Sequence, residues 1–504
     1  MSVLRFRGNF FHSSCFGAFV LGIALGAPTT EGGEPQAIES SVVKLYVYSS
    51  PSDPQSPWQK AATQVFGGSG VIIEGQRILT NAHVVEEYAS LEVKRAGMAK
   101  RYTAQVVHFG HQCDLALLSV DDPSFFEGVR PLPIGELPRI QSEVGVYGFP
   151  IGGESVSVTA GIVSRIEVDT YIHSLEDLLL VQIDAPINSG NSGGPAITDS
   201  TVVGLAVQSL DDAENVGYII PAPVISHFLE DVADGRYDGF PDFRLEWQDL
   251  ESDAHRSSLG MQDEQTGVLA TRMDYGSTGS DEIEPGDVLL TIDEAAVANN
   301  GTLSWAGPGR VDLSHLIISR QVGETISLGL LRDRKQIEKT VTLLHTPNLV
   351  PGRRRHANPS YLVFGGLVFR PLTYEYLGMF KSVPHDLANL ALYQNIVTSE
   401  RSQVILISRV LPSPVNRGYQ DWEDFIVETV NGTIPRDMEH LAQLVDEAKG
   451  TWLRIVTEDR SYLTLNLKDS RAAHSTILDG YGIAHDRSQD LRDTISGAAA
   501  RAAK

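Results

Sequence analysis

Short apolar and β-branched runs, separated by glycine- and proline-containing turns, dominate the first 220 residues. Because no long helical pattern interrupts them, the runs predict antiparallel β-barrels or sandwiches. They fall at residues 42–48, 68–73, 77–80, 103–108, 115–120, 144–147, 156–166, 178–183, 202–208 and 216–220. Residues 223–233 then carry one apolar stripe at helical spacing, and Gly235 ends it. We therefore expect a mainly β first domain, residues 36–236, closed by this helix.

Two smaller units with mixed helical and strand patterns follow, at residues 240–345 and 359–469. The predicted strands are 267–270, 287–292, 325–332 and 337–343, then 404–410, 425–430, 452–457 and 462–467, with helices at 313–320 and 438–448. The segments 287–293 and 423–432 both place a strand before a turn and a helix, which indicates a duplicated module. An arginine-containing linker, 346–358, joins the units, and a polar, alanine-rich tail occupies 470–504.

The N-terminus has the layout of a secretory signal peptide, residues 1–27. Arg5 and Arg7 precede an apolar run at 15–27 that is too short to span a bilayer and that ends in small residues suited to cleavage. We expect an extracytoplasmic protein, periplasmic or secreted, without a membrane span in the mature chain. An uncleaved anchor and an organelle transit peptide stay open, because the segment also lacks acidic residues.

Composition limits the classes of protein and function that the chain can belong to. The 504 residues, 42% hydrophobic and 21% charged, suit about three globular domains. A net charge of −24 argues against a nucleic-acid partner, since phosphate binding needs a basic face. The two cysteines, Cys15 and Cys113, exclude a disulfide-stapled scaffold if the signal peptide is removed.

Three residues have the types and order of a serine-protease triad. Ser192 lies in a glycine-rich turn after an apolar strand, where the backbone N–H groups of Gly190 and Ser192, around Asn191, can form an oxyanion hole. His83 follows a strand in a turn of small residues, and Asp114 begins an apolar strand, where a buried charge needs a partner. Histidine, aspartate and serine in this order are typical of two-barrel proteases.

The same region also contains possible metal ligands, but the sequence supports a metal site less well than a triad. His108, His111 and Cys113 lie close in sequence on one strand and lack a fourth, suitably spaced ligand. We therefore expect neither a metal nor another cofactor.

The first domain resembles the trypsin-like protease domain of the HtrA (Deg, protease Do-like) family. The resemblance rests on the segments 68–72 (GSGVI), 79–85 (LTNAHVV), 114–118 (DLALL), 158–164 (VTAGIVS), 184–195 (DAPINSGNSGGP) and 217–221 (GYIIP). The two later units look like PDZ domains, which are α+β. The segment 364–373 (FGGLVFRPLT) is most similar to a branch of the family known from plants, which also has bacterial relatives.

The resemblance implies a fold and catalytic roles. The fold is a double β-barrel followed by two PDZ domains. Ser192 would attack the scissile carbonyl, His83 would accept its proton, and Asp114 would orient His83. The primary specificity pocket would be lined by Ile187, Leu205, Ala206 and Val207, without an acid to select lysine or arginine. Cleavage after small or medium aliphatic residues is therefore expected.

PDZ domains bind peptide C-termini as an added strand, with backbone N–H groups on the terminal carboxylate. The candidate carboxylate loops contain Leu259, Gly260 and Met261 in the first PDZ and Gly365 and Gly366 in the second. Both depart from the usual Gly-Leu-Gly-Phe pattern. Peptide C-termini are candidate partners of the first PDZ, whereas the second either captures peptides or only packs against other subunits.

The family resemblance implies an ATP-independent serine endopeptidase that degrades unfolded or damaged proteins and forms trimers or multiples of trimers. Two alternatives remain open from the sequence. One is a latent protease that acts mainly as a chaperone or a PDZ scaffold. The other is a processing protease dedicated to one partner substrate.

Overall fold

The computed structural model describes residues 38–53, 55–209, 216–305, 309–352 and 358–493. The predicted signal peptide, most of the arginine-containing part of the linker, and the end of the tail lie outside these ranges. Among the helices within them, none has the length and apolar character needed to cross a membrane.

Two closed six-stranded antiparallel barrels make up the first unit, which confirms the predicted double β-barrel. The first barrel has the order β1-β2-β3-β6-β5-β4 and the second β10-β11-β12-β9-β8-β7. Their strands are β1 (Val42–Ser49), β2 (Gln64–Ile73), β3 (Arg77–Thr80), β4 (Tyr88–Arg95), β5 (Tyr102–Gly110), β6 (Leu115–Val120), β7 (Glu143–Gly148), β8 (Ser157–Thr170), β9 (Asp177–Ile183), β10 (Pro195–Thr198), β11 (Thr201–Ser209) and β12 (Gly217–Pro221). Helix α1 (Ala82–Val85) follows β3, and α2 (Ala222–Asp231) follows β12.

Three apolar clusters hold the barrels together. Each barrel has its own interior, built by residues such as Leu45 and Leu118 in the first and Val146 and Val181 in the second. A third cluster fills the seam between the barrels and extends to α2, whose Phe228 is fully buried in it. The seam is therefore a continuous core, and residues at the barrel ends that face it are held in fixed positions.

The second unit is built around a sheet of order β13-β14-β15-β19-β20, with β16 paired to β15 and a separate hairpin, β17-β18. Its elements are β13 (Leu245–Asp249), α3 (Asp253–Leu259), β14 (Val268–Met273), β15 (Val288–Ile292), β16 (Ala295–Ala296), β17 (Thr302–Trp305), β18 (Gly309–Asp312), α4 (His315–Ile318), β19 (Thr325–Arg332) and β20 (Lys335–Thr342). The four predicted strands are confirmed, whereas the helix predicted at 313–320 is a single turn.

The third unit is a six-stranded sheet with the strands in sequence order, β21 to β26, and helices packed on it. Its elements are β21 (Leu362–Phe364), β22 (Leu367–Pro371), α5 (Tyr374–Leu377), α6 (His385–Tyr393), β23 (Ile405–Val410), β24 (Phe425–Val430), α7 (Met438–Asp446), β25 (Trp452–Thr457), β26 (Tyr462–Asn466) and α8 (Leu467–Gly480).

The structure continues the third unit beyond residue 469, where the tail was predicted to begin. Helix α8 packs on the sheet through Ile477, and the chain after it buries Ile483 beside Tyr361. Residues 486–488 then pair with 361–363, since the Val363 N–H donates to Asp486 O (2.6 Å) and the Ser488 N–H to Tyr361 O (3.0 Å). The first part of the tail is therefore part of the fold.

The second unit binds directly to the barrels. The ring of His227, on α2, stacks on Phe240 with 3.9 Å between ring centroids, and its Nε2 lies 2.7 Å from Arg320 O. Gln112, in the turn after β5, accepts the Phe240 N–H at 2.9 Å. The start of the second unit therefore touches the barrel turn that contains Asp114.

Truncating Phe228 tests the importance of the seam. We expect Phe228→Ala to lower the free energy of unfolding of the first unit by about 3–5 kcal/mol, because a fully buried ring is lost from a packed core. Calorimetric unfolding of the full chain measures the change. Leu392→Ala, which removes an exposed side chain of α6, is the control and should stay within about 0.5 kcal/mol. An equal response of the two variants would contradict the assignment of the seam as the core of this unit.

Candidate active site

His83 and Asp114 are joined by two hydrogen bonds at the end of the first barrel. His83 Nδ1 lies 2.7 Å from Asp114 Oδ2, and the His83 backbone N–H donates to Asp114 Oδ1 at 2.8 Å. The Asp114 carbonyl accepts from Asn81 Nδ2 (3.0 Å) and from the Ala82 N–H (3.1 Å). One aspartate therefore fixes both the ring and the helical turn that carries it.

A tight turn places Asp114 in this position. Its φ is +52°, a left-handed conformation that aspartate tolerates better than most residues, and its N–H donates to His111 O at 3.3 Å. The Asp114 side chain has no solvent exposure, whereas the His83 side chain is 31% exposed. The carboxylate is therefore held inside the protein, while the imidazole stays accessible to a substrate.

The two side chains shift each other's pKa. Burial alone would raise the pKa of Asp114, but the charges of His83 and His173 and the hydrogen bonds from His83 outweigh it and hold this pKa below its ordinary value. Burial alone would lower the pKa of His83, but the charge and hydrogen bond of Asp114, together with Glu86, raise it above its ordinary value. The pair therefore favours an imidazolium next to a carboxylate, which is the state a general base reaches when it accepts a proton.

Hydrogen bonds and close packing hold the turn that contains Ser192 in the seam between the barrels. The Ser192 carbonyl accepts the Ser69 N–H at 3.0 Å, and Ser69 Oγ donates to Gly190 O at 2.7 Å. Gly193 has a φ of +79°, and a Cβ there would lie 2.2 Å from Thr80 Oγ1. Only glycine fits this close approach between the serine turn and the end of β3, the strand that leads to His83.

The backbone around Ser192 leaves two N–H groups available. The Ser189 carbonyl accepts the Ile151 N–H (3.0 Å) and the Asn191 carbonyl accepts the Gly194 N–H (2.9 Å), so the N–H groups of Gly190 and Ser192 point the opposite way. Within the described residues, neither of these two N–H groups donates to another protein group. The oxyanion hole of Gly190 and Ser192 stays a prediction that this arrangement supports.

His83 lies on the first-barrel side of the seam and Ser192 on the second-barrel side, and no hydrogen bond joins their side chains. Among the residues that the structure describes, none accepts or donates a hydrogen bond at Ser192 Oγ. Catalytic hydrogen bonds are often loose in the free enzyme and tighten only when substrate binds.

The residues predicted to line the specificity pocket lie on two faces of β11. Ala206 pairs with the serine turn through bonds of 2.9 Å to Gly193 and Gly194, and its side chain packs with Ile187 in the second barrel. Leu205 and Val207 point to the other face, into the seam core. Strand side chains alternate between faces, so Leu205 and Val207 face away from Ile187 and Ala206, and the lining of the specificity pocket stays a prediction.

The loop predicted to bind a carboxylate in the second unit is the end of a helix. Leu259 is the last residue of α3, and Gly260 caps it with a φ of +80°. The Gly260 N–H donates to Ser257 O and the Met261 N–H to Arg256 O, both at 3.1 Å. Because these N–H groups bond within the helix end, they are not available for a carboxylate.

Gly365 and Gly366 form the two-residue turn of the β21-β22 hairpin, with φ values of +57° and +86°. The buried Asn416 donates to Gly365 O at 2.9 Å, and the Leu411 N–H donates to Gly366 O at 2.7 Å. The turn is packed against the protein, so it does not open as the predicted carboxylate loop. Strand β22 is also paired on both sides, to β21 and β23, which leaves its paired residues no edge for an added peptide strand.

Sequence reasoning missed Glu86 and His173, which lie near Asp114 and His83. His173 Nε2 lies 3.9 Å from Asp114 Oδ1 and 3.1 Å from His111 Nδ1, while His173 Nδ1 lies 3.8 Å from Glu86 Oε2. His173 comes from the turn between β8 and β9, far from the other residues in sequence. No local motif connects them.

His108, His111 and Cys113, which the sequence suggested as a weak candidate metal site, have different environments in the structure. Cys113 is fully buried and burial raises the pKa of its thiol, which donates to Gly110 O at 3.4 Å. His108 lies within β5, whereas His111 reaches His173. Cys113 is therefore a packing residue, and His111 belongs to a different cluster.

Comparison with known proteins agrees with this geometry. Residues 68–205 match a profile described as "Trypsin-like peptidase domain", and residues 350–490 match one described as "PDZ domain". The chain is 37% identical over 466 residues to "Protease Do-like 4, mitochondrial" of Arabidopsis thaliana, covering 90% of this chain and 88% of that protein. It is 38% identical over 460 residues to "Protease Do-like 2, chloroplastic" of the same plant, covering 90% and 75%.

A solved structure, "HtrA-type protease AlgWS227A with decapeptide", is 22% identical, with a TM-score of 0.48. That match covers 62% of this chain and 96% of the other.

Replacing Asp114 by asparagine tests its role in orienting His83. An amide can donate to the ring nitrogen and stabilise the wrong tautomer, so we expect kcat for peptide cleavage to fall by roughly 10⁴-fold with the fold retained. Steady-state cleavage of a fluorogenic peptide measures this. The control is Asp121→Asn, an exposed carboxylate at the other end of β6, which should leave kcat unchanged. A similar loss in both variants would show that the effect is not specific to the pair.

The raised pKa of His83 predicts the pH dependence. His83 accepts a proton only when it is neutral, so kcat/KM should fall as the pH drops through its pKa. We expect the midpoint of this acidic limb to lie above the ordinary histidine value of 6.5. A kcat/KM profile across acidic and neutral pH provides the measurement, and a midpoint below 6.5 would contradict the assigned pairing with Asp114.

Proposed function

This chain belongs to the HtrA (Deg, protease Do-like) family of serine proteases, and we propose that it is an ATP-independent endopeptidase that degrades unfolded or damaged proteins. The observation that carries the proposal is the buried Asp114 carboxylate, 2.7 Å from His83 Nδ1, at the seam that also holds the Ser192 turn. An orienting acid, an accessible base and a serine in a glycine turn are the parts that acyl transfer requires.

The proposed reaction proceeds in two halves. His83 Nε2 accepts the Ser192 hydroxyl proton while Oγ attacks the scissile carbonyl, and the N–H groups of Gly190 and Ser192 bind the oxyanion. His83 then gives the proton to the leaving amine, which departs and leaves an acyl-enzyme. In the second half, His83 accepts a proton from a water molecule, which attacks the ester carbonyl. His83 then returns the proton to Ser192 Oγ, and the acid product leaves. Asp114 stays ionised throughout and stabilises the imidazolium.

The proposed specificity follows from the described pocket residues. The half-buried Ile187 offers an apolar side chain just before the Ser192 turn, and Ala206 pairs with that turn through its backbone. A small or medium aliphatic side chain at the cleaved position would bury apolar surface there, whereas lysine or arginine would lose hydration without a counter-charge.

Location and assembly are also proposals. We propose that residues 1–27 direct the chain out of the compartment in which it is made. The mitochondrial and chloroplastic names of the relatives favour an organelle over the periplasm as the destination. We further propose a trimer or a multiple of trimers. The first half of β2, where Val65 and Phe66 are exposed, offers an apolar surface for subunit contact.

Active-site labelling tests the proposed nucleophile. We expect a fluorophosphonate probe to label the purified protein at Ser192 and to fail with Ser192→Ala and His83→Ala. Since the free structure lacks a Ser192–His83 hydrogen bond, an unfolded protein such as reduced casein should increase labelling. Labelling that persists in Ser192→Ala would contradict the assignment. An intact fold without labelling under either condition would favour the chaperone or scaffold alternative.

Mapping the cleavage sites in the same casein digest tests the pocket. We expect valine, alanine, isoleucine and similar residues to precede most cleaved bonds, and Ile187→Gly to broaden this preference towards larger side chains. Cleavage mainly after lysine or arginine would refute the proposed apolar pocket.

A further inference from the structure

Glu86, His111 and His173 converge from three separate turns directly behind the triad. Glu86 is the residue that ends α1, His111 precedes Asp114 in the turn between β5 and β6, and His173 lies in the turn between β8 and β9. One ligand atom from each side chain lies within 4.8 Å of the other two. A carboxylate and two imidazoles at one point are the donor set of many zinc sites.

The separation of two histidine nitrogens in this cluster suits a metal ion. His111 Nδ1 and His173 Nε2 are 3.1 Å apart, and two nitrogens on one tetrahedral zinc ion are about 3.3 Å apart, given bonds of about 2.0 Å. Glu86 and His173 are both buried. The ring of Phe109 stacks on that of His111, at 5.2 Å and an angle of 8°, and so fixes its orientation. The ligands are therefore held in place before an ion arrives.

A small cavity reaches one member of the cluster, His111. It is lined by His111 together with Ser174, Glu176 and His345, where the first unit meets the chain after the second. The lining is partly polar and partly apolar, and its Ser174 directly follows His173 in sequence. The cavity therefore gives access to the cluster at His111, and His83 is not among its lining residues.

We propose that Glu86, His111 and His173 bind a divalent transition-metal ion of the zinc class, and that the bound ion slows the protease. Three protein ligands leave a fourth position for water. The second part of the proposal rests on the proposed function, whereas the binding itself does not.

The effect on catalysis follows from charge. His173 Nε2 is 3.9 Å from Asp114 Oδ1, so a dication on that nitrogen lies close to the catalytic carboxylate. Its charge would offset that of Asp114, which stabilises the imidazolium of His83 in the transition state. His83 then becomes a weaker base, and peptide cleavage slows until the ion is removed.

Metal binding is tested first, on the full chain with Ser192→Ala and after dialysis against EDTA. We expect one Zn²⁺ per chain in competition with a chromogenic chelator. His111→Ala and His173→Gln should each weaken binding by at least about tenfold. His108→Ala, which removes a neighbouring histidine outside the cluster, should bind as the parent does, and circular dichroism checks that each variant is folded. No binding, or equal binding by all four proteins, would overturn the site.

Inhibition is tested separately, with active protein. We expect Zn²⁺ to lower peptide cleavage at least tenfold in the parent and in His108→Ala, and EDTA to restore it. His111→Ala should lose this sensitivity relative to its own metal-free rate. If zinc still inhibits that variant equally, the ion acts elsewhere, for example on the triad itself, and the regulatory part is wrong. If the parent binds zinc but cleaves nothing without it, the proposed function fails while the metal site stands.

Discussion

The burial of the Asp114 carboxylate is the constraint on which the rest of the site depends. A charge without solvent exposure costs several kcal/mol unless other groups compensate it. Here the ring and backbone of His83 compensate it, and the carbonyl of the same residue holds Asn81 and Ala82. The end of β3, helix α1 and the turn after β5 are thereby joined into one body. Misplacing any of them would leave a buried charge unpaired, which explains why the geometry is so closely determined.

The second barrel completes the site through close backbone contact. The Ser192 turn sits against Ser69 and Thr80 of the first barrel, and the glycine at 193 is what makes that distance possible. Reactive groups from both barrels are therefore positioned by a packed seam and not by flexible loops. Such a seam gives the precision that acyl transfer requires, since the reacting atoms must be placed to within a fraction of an ångström.

The sequence predicted the parts that depend on local patterns. Alternation and turn residues located most strands and predicted barrels or sandwiches, and the family resemblance implied the double barrel. The motifs around His83, Asp114 and Ser192 provided the residues of the proposed triad. Strand β4 was missed because its charged residues hide the alternation, and β10 because it begins with Pro195 directly after the glycine-rich turn. Long-range features could not be read locally. His173 and Asp114 lie in turns of different barrels, so only the folded structure brings them close. Similarly, the sequence does not show that Leu205 points into the seam core and Ala206 into the second barrel.

The pairing of residues 486–488 with 361–363 has a consequence for aggregation. Unfolded chains carry unsatisfied backbone groups, and an open sheet edge is a template on which they can add as strands and aggregate. The chain's own returning segment occupies the outer edge of β21 along these residues. The returning segment thus removes one place where an unfolded chain could join this sheet.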